Sequence, residues 1–240
     1  FDVSPKSDVK AEDLFQQESG FRDVLTGVYS LMSAPESYGR QLSFGYVDVL
    51  AQYYNISGNT HRYIKTKDYL YREPYDKEVL STIWSRQYKG IANLNAMLMF
   101  IDEQRGVFSG DEVYRIYKGE ILALRGMLHF DMLRLFGPLT SELDKESIPY
   151  QTNSDQTVTP LLSGSEVVGL ILDDLKNAVG LLKDTDPYFV EEEFSDTDLN
   201  YRRFRMNYFA AKGLMARVQL WGGDKEKAKD RLKERNFSLL

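Results

Sequence analysis

The sequence predicts an all-α fold made of paired helices. In most segments of the 240-residue chain, apolar residues recur at steps of three and four, which is the period of an amphipathic helix. No segment shows the apolar and polar alternation of a half-buried strand. The stretches ALRGML at 123–128 and AAKGLM at 210–215 share the order of small, basic and long apolar residues. This similarity indicates that a helix pair is repeated along the chain.

The N-terminal third combines predicted helices with one long irregular segment. Residues 1–9 are expected to be extended, because they include a proline, which cannot continue a helix. Residues 10–33 predict a helix with a possible break at Gly20, and residues 40–53 predict a second helix. Residues 54–75 show neither the helical nor the strand periodicity of apolar residues, and they are rich in tyrosine. We therefore expect a long structured loop there, and loops of this length often carry function.

The central part of the chain predicts three long helices. Residues 76–101 form the first. Ser109–Glu112 and Ser163–Glu166 match the capping-box pattern that begins a helix, and the apolar periodicity continues these helices to about Phe136 and Lys183. The remaining connections are predicted at 138–162, which is rich in proline, and at the acidic stretch 191–198.

The last predicted helix pair has a narrow face of small residues. Ala210, Gly213 and Ala216 recur at helical spacing, which lets two helix backbones approach closely. Gly222-Gly223 can end the first helix in a left-handed conformation, and the following aspartate, Asp224, stands where an N-cap belongs. A buried Ala228 in the second helix would complete the crossing. This pattern is typical of tetratricopeptide-like helical hairpins, so the predicted fold is an all-α, tetratricopeptide-like helical hairpin array with long irregular loops.

Several polar residues within the apolar stripes are expected to be structural. Asn95 lies on the buried face of its helix, where an asparagine usually ties helices together. Glu120 and Arg125 are five residues apart and do not share a face, so each is expected to pair with a neighbouring segment. His129 follows an apolar residue and is expected to be a structural histidine.

Composition excludes several classes of function. The net charge is −6, with acids and bases interspersed, which argues against nucleic acid as a partner. The chain has no cysteine and two histidines, so thiolate chemistry and a multi-histidine zinc site are excluded. No hydrolase or phosphate-binding motif is present. We therefore predict a protein that is not an enzyme and that uses no metal and no cofactor.

Five stretches, taken in order, resemble the N-terminal part of SusD/RagB-family outer-membrane lipoproteins. They are FDVSPKSDVKAEDLF at 1–15; Trp84, Tyr88, Ile91 and Asn95; the series Gly119, Glu120, Ala123, Leu124, Arg125, Phe130, Leu135, Phe136, Gly137, Pro138 and Leu139; the run from Ile148 to Leu182; and NYFAAKGLMARVQLWGGDKEKA at 207–228. The third stretch departs at one position, because Pro138 follows Gly137 without an intervening residue.

The resemblance implies a cell-surface, outer-membrane lipoprotein. Its members capture an oligosaccharide or polysaccharide and deliver it to a SusC-like TonB-dependent transporter. On this basis residues 1–240 are expected to be a single SusD-like N-terminal helical domain of a longer protein. The lipid-bearing cysteine is then expected to precede Phe1, and the C-terminal half to follow Leu240.

The candidate glycan platform lies in the tyrosine-rich loop and just before it. Aromatic rings can stack on sugar rings, while carboxylate, amide and guanidinium groups can bind sugar hydroxyls. The predicted binding residues are Asp48, Tyr53, Tyr54, Asn55, Arg62, Tyr63, Tyr69, Tyr71 and Tyr75. The opposing interpretation is that these tyrosines simply cover the helix array. His61, in the same loop, is a weaker candidate donor.

Two other classes of function stay open on sequence alone. A helical array predicts a protein–protein interaction scaffold without its own glycan as readily as it predicts glycan capture. An all-α hydrolase has little support, because acid pairs are common in the chain and no geometry selects one of them.

Overall fold

The computed structural model describes residues 11–154, 158–187 and 201–233 and confirms the all-α prediction. The α-helices in these ranges are α1 Ala11–Leu14, α2 Glu18–Ser33, α3 Tyr46–Leu50, α4 Pro74–Ile101, α5 Asp111–Phe136, α6 Gly164–Leu182, α7 Tyr208–Trp221 and α8 Lys225–Lys233. Short 3-10 turns lie at Thr66–Asp68, Arg105–Val107, Thr140–Glu142 and Arg202–Phe204. The predicted lead-in at 1–9 and the predicted connector at 191–198 lie outside the described residues.

Helix α5 is the centre of the array. It packs between α4 and α6, while α2 lies on α4, α7 lies on α6, and α7 and α8 form a hairpin. Glycines let α5 and α6 approach closely: a Cβ atom at Gly119 would lie 2.7 Å from Leu182 Cγ, and one at Gly126 would lie 3.3 Å from Leu175 Cγ. The close approach predicted for the last hairpin therefore also occurs at the centre of the array.

The last hairpin forms as the sequence predicts. Helix α7 ends at Trp221, and Gly223 has a left-handed φ of 89°. Asp224 caps α8, because its Oδ1 accepts a hydrogen bond from the Lys227 amide at 3.1 Å. Ala228 is buried, as expected for a residue at a tight crossing. On the narrow face of α7, Ala216 is buried while Ala210 is only partly so.

The predicted helix at 10–33 is interrupted, but not at Gly20. The break lies between Leu14 and Glu18. Phe15 turns into the core there, with its ring centroid 4.7 Å from that of Phe21 and 5.4 Å from that of Phe100. Gly20 instead lies inside α2, where it allows close contact with the backbone of Leu14.

The predicted helix at 40–53 is wrong except for Tyr46–Leu50. The Gln41 side chain accepts a hydrogen bond from the Tyr46 amide at 3.2 Å, which holds the preceding residues in turns. After α3, Gln52 has a left-handed φ of 61°, and its side-chain amide nitrogen donates to Lys67 O at 2.9 Å. Side chains that bond the backbone therefore end the helix on both sides.

One predicted capping box forms and the other does not. The Ser163 hydroxyl accepts from the Glu166 amide at 3.3 Å, and Glu166 Oε2 accepts from the Ser163 amide at 2.9 Å. Ser109 is wrong as a cap, because α5 begins after Gly110 without a side-chain cap. The Ser109 amide donates to Glu18 Oε2 at 2.8 Å, which fastens this residue to α2.

The expectation of no strands is also wrong in one place. Glu146–Pro149 and Leu161–Ser163 form a two-stranded antiparallel sheet, with Glu146 opposite Ser163. Strands of four and three residues are too short for alternation to be visible in the sequence.

Polar groups beneath this sheet are paired as predicted. Arg125 binds both oxygens of Asp174 at 2.7 Å and donates to Asn95 Oδ1 at 3.0 Å. Asn95 Nδ2 donates to the backbone oxygens of Gln151 and Asn153 at 2.9 and 3.1 Å. Asn95 and Arg125 therefore join four segments of the chain: α4, α5, α6 and residues 151–153.

His129 is structural, as predicted. Its Nδ1 lies 3.0 Å from Arg125 O, and its Nε2 lies 3.0 Å from the Gln151 amide, so the ring is neutral, donating through one nitrogen and accepting through the other. Its ring stacks on Tyr150 with centroids 3.9 Å apart. Burial lowers the pKa of His129 to about 3.

Candidate functional site

The tyrosine-rich loop is fastened to the helices at the start of α4. Asp76 is fully buried, and its Oδ1 accepts hydrogen bonds from the hydroxyls of Tyr46 at 3.0 Å and Thr66 at 2.8 Å. The Tyr69 hydroxyl donates to Leu50 O at 3.1 Å, which ties the far part of the loop to the end of α3. The long loop that the sequence predicts is therefore held in one conformation, although it has almost no regular secondary structure.

The loop presents its aromatic side chains to solvent. Tyr53 is 77% exposed, and Tyr54, Tyr69 and Tyr71 are each exposed by nearly half. Among the other predicted residues, Asn55 and Arg62 are exposed, while Asp48, Tyr63 and Tyr75 are half-buried. Four of these rings are therefore exposed on the surface of the helix array.

Three of the predicted residues line one open groove of about 460 Å³. They are Tyr54, Asn55 and Tyr63, together with Phe44, Val49, Ile56, Ser57 and His61. The Tyr54 hydroxyl donates to Phe44 O at 2.7 Å, which fixes the orientation of its ring at the groove edge. We call this the aromatic groove. Phe44 is 59% exposed and was missed by the sequence analysis. Phe44 lies in a segment predicted to be helical, and nothing in the sequence marks it as an exposed residue beside the loop.

Arg62 and Tyr75 lie in a second, smaller pocket of about 200 Å³. Its other lining residues are Glu36, Arg40, Gln41, Glu78, Val79 and Thr82. We call it the arginine pocket. The sequence analysis did not identify Arg40 or the two glutamates, because they come from the turns after α2 and from α4 rather than from the loop.

The Tyr63 ring connects the aromatic groove to the arginine pocket. Its edge contacts Tyr75, with ring centroids 5.7 Å apart, and its hydroxyl donates to Gln41 Oε1 at 3.0 Å. Burial raises the pKa of Tyr63 to about 12, so its hydroxyl stays protonated and can donate at neutral pH.

The remaining predicted residues lie outside both of these sites. The rings of Tyr69 and Tyr71 pair with each other, at a centroid distance of 6.2 Å. Asp48 accepts a hydrogen bond from the Tyr53 amide at 3.0 Å, but through its backbone oxygen. The nine predicted residues therefore form one tyrosine-rich face with two separate concave sites, and not a single pocket.

The chemistry of this face suits binding. It combines exposed rings with amide, carboxylate and guanidinium groups. Within the described ranges, no group of three or more acidic or histidine side chains is placed to hold a metal ion. The helices of these ranges also include none with both the length and the apolar character needed to cross a membrane.

The fold and this surface define a helical-hairpin protein that displays an aromatic and polar face to solvent. Residues 1–220 match the model of a SusD-like family described as starch-binding and associating with the outer membrane. The chain therefore belongs to the SusD-like family, and the resemblance found in the five sequence stretches is confirmed. The family description is one of binding, in agreement with the prediction of a non-catalytic protein.

Solved structures of the same superfamily share the fold. A putative sugar binding protein from Bacteroides vulgatus superimposes with a TM-score of 0.69 at 24% identity, covering 90% of this chain and 45% of its own. A SusD superfamily protein from Bacteroides thetaiotaomicron gives a TM-score of 0.71 at 24% identity, with the same coverage. A laminarin binding SusD-like protein gives 0.68 at 19% identity, over 91% of this chain and 43% of its own.

The chain spans less than half the length of these solved structures. Among curated proteins, no match to the chain was found.

Proposed function

We propose that this protein binds glycans at the surface of the outer membrane. The observation that carries the proposal is the fixed loop, which exposes four tyrosines and lines the aromatic groove through one of them, Tyr54. Sugar rings have apolar faces that stack on aromatic rings, and their hydroxyls need donors and acceptors held in place. The loop provides both without rearrangement, because hydrogen bonds from its Thr66 and Tyr69 side chains tie it to α4 and α3.

The proposal includes a place in transport. SusD-family resemblance implies a lipid anchor in the outer membrane and delivery of the captured glycan to a SusC-like TonB-dependent transporter. The family description, which associates these proteins with the outer membrane, supports that location. The lipid anchor, the transporter and the assignment of residues 1–240 to a single N-terminal domain stay predictions.

Affinity electrophoresis tests glycan binding directly. The 240-residue chain is run through native gels that contain starch or laminarin, the glycans named in the family description and for one relative. We expect retardation by at least one polysaccharide, and we expect Tyr53→Ala and Tyr54→Ala to reduce it. A stacking contact with one aromatic ring is worth roughly 1 kcal/mol, so each variant should weaken binding about fivefold.

The matched control is Tyr201→Ala. Tyr201 is 66% exposed and lies far from the loop in sequence, so its replacement removes a comparable ring from another part of the surface. Loss of retardation in the loop variants but not in this control would support the tyrosine-rich face as the binding site. Equal loss in all three would contradict it.

The alternatives give different results. If no polysaccharide retards the chain, but the chain co-purifies with a barrel transporter, the protein is an interaction scaffold instead. Release of reducing sugar from a polysaccharide by the pure chain would instead show a hydrolase.

A further inference from the structure

The two arginines that line the arginine pocket, Arg40 and Arg62, form no ion pair in the described part of the chain. Glu36 pairs with Arg86 at 3.2 Å, so one carboxylate at the pocket is already engaged. In the described part of the chain, neither Arg40 nor Arg62 has a carboxylate within ion-pair distance. Glu78, on the rim of the pocket, is the second acidic group there.

One polar atom at this pocket lacks the partner that buried groups normally have. Arg40 Nε is buried and has no hydrogen-bond partner among the described residues. Leaving a buried donor unsatisfied is unfavourable, and more so when the group is charged. Arg40 and Arg62 both line the pocket, so an acceptor group that enters it meets two guanidinium groups without an ion-pair partner in the described part of the chain.

Guanidinium groups select the chemistry of that acceptor. Arginine donates in a planar fork that matches the two oxygens of a carboxylate or the oxygens of a sulfate. The pocket is too small for an oligosaccharide, but Tyr75 on its lining contacts Tyr63, which lines the aromatic groove. A glycan chain lying in the groove could therefore place one charged substituent between Arg40 and Arg62.

We infer that the arginine pocket binds the anionic group of an acidic saccharide, a uronic acid carboxylate or a sulfate ester. This inference rests on the proposed glycan binding and narrows its substrate class. The aromatic groove holds the sugar rings, and Arg40 and Arg62 hold the charged substituent. Glu36 and Glu78 balance the charges of Arg40 and Arg62 on the pocket lining, so recognition depends on the arginine geometry more than on the overall field.

Isothermal titration calorimetry with three probes tests the inference. They are oligogalacturonate, which carries carboxylates, sulfated dextran fragments, which carry sulfates, and neutral laminarin oligosaccharides. We expect one of the charged probes to bind more tightly than laminarin, with an affinity that falls as salt is raised. The two charged arms distinguish carboxylate from sulfate recognition.

Three variants locate the effect. Arg62→Gln should lower the preference for the charged probe over laminarin roughly tenfold, because it removes a charge-assisted hydrogen bond to the anionic group. Arg72→Gln makes the same change on an exposed arginine of the same loop, outside the pocket, and should leave the preference as it is. Glu78→Gln should tighten binding of the charged probe two- to threefold, because it removes a like charge.

Failure of this inference is distinct from failure of the proposed function. If laminarin or starch binds, and the charged probes bind no better, the arginine pocket does not recognise anions and glycan binding stands. Weaker binding of the charged probe by Glu78→Gln would also overturn the inference, because it would show a pocket built for neutral sugar hydroxyls. If no saccharide binds at all, both proposals fail.

Discussion

Replacement of Glu120 by glutamine tests the buried ion cluster at the centre of the fold. Glu120 lies on α5 and is 1% exposed. Its carboxylate accepts hydrogen bonds from Arg202 Nη1, from Arg205 Nε at 2.8 Å and from the Tyr29 hydroxyl at 2.5 Å. Arg202 is equally buried and also binds Asp186 Oδ2, at 2.9 and 3.1 Å. The cluster therefore joins α2, α5 and the segment before α7.

The expected loss of stability follows from the imbalance of charge. Glu120→Gln keeps the shape of the side chain but removes the negative charge, which leaves the buried Arg202 with Asp186 as its remaining carboxylate. Removal of one partner from a buried ion pair costs about 3–5 kcal/mol. Since domains are stable by about 5–15 kcal/mol in total, this is a large fraction of the free energy of unfolding. Urea denaturation measures it, and the thermal midpoint should fall by roughly 6–20 °C.

The pH dependence provides a second measurement on the same variant. Burial alone would raise the pKa of Glu120, but the charges of Arg202 and Arg205 outweigh it and lower the pKa below its ordinary value of 4.5. A carboxylate with a lowered folded pKa stabilises the protein at neutral pH, and this contribution is lost as pH falls below about 4.5. Glu120→Gln should therefore flatten the acid side of the stability profile.

The control is Glu112→Gln, on an exposed glutamate of the same helix. This replacement should change the free energy of unfolding by less than about 0.5 kcal/mol. If Glu120→Gln is as stable as this control, with an unchanged denaturant slope, the argument that the buried cluster holds the three segments together is refuted.

Two further replacements test packing and capping with matched pairs. Gly119→Ala should destabilise the protein by about 1–3 kcal/mol, because the new Cβ would lie 2.7 Å from Leu182 Cγ. Gly169→Ala, on the exposed side of α6, places a Cβ with nothing within 4 Å and should stabilise the protein by up to about 1 kcal/mol. The opposite order of stabilities in urea denaturation would contradict the close approach of α5 and α6. Ser163→Ala should cost about 1 kcal/mol by removing the cap of α6, while Ser109→Ala should have little effect, and equal losses would show that the capping assignment is wrong.

The sequence predicted the features of the fold that depend on local patterns. Helices α4 to α7 follow from the 3.6-residue period, and helix α8 follows from the break at Gly223 and the cap at Asp224, whose backbone preferences act over a few positions. The structural roles of Asn95 and Arg125 were also predictable, because a polar residue on a buried face needs a partner.

Tertiary contacts decided what the local patterns could not. Phe15 interrupts the first helix because a pocket between Phe21 and Phe100 receives its ring. Gln41 and Gln52 shorten the helix at 40–53 by bonding the backbone, and their partners include Lys67, which is distant along the chain.

The candidate site shows the same division. Composition alone identified a tyrosine-rich loop and most of the residues on its exposed face. It could not show that Tyr54 and Arg62 line different concavities, or that Arg40 and Arg62 line the same pocket, because these placements depend on how the loop folds back over α3 and α4. Periodicity is a property of neighbouring residues and is written in the sequence, whereas the meeting of two side chains from separate segments is fixed only when the whole chain packs.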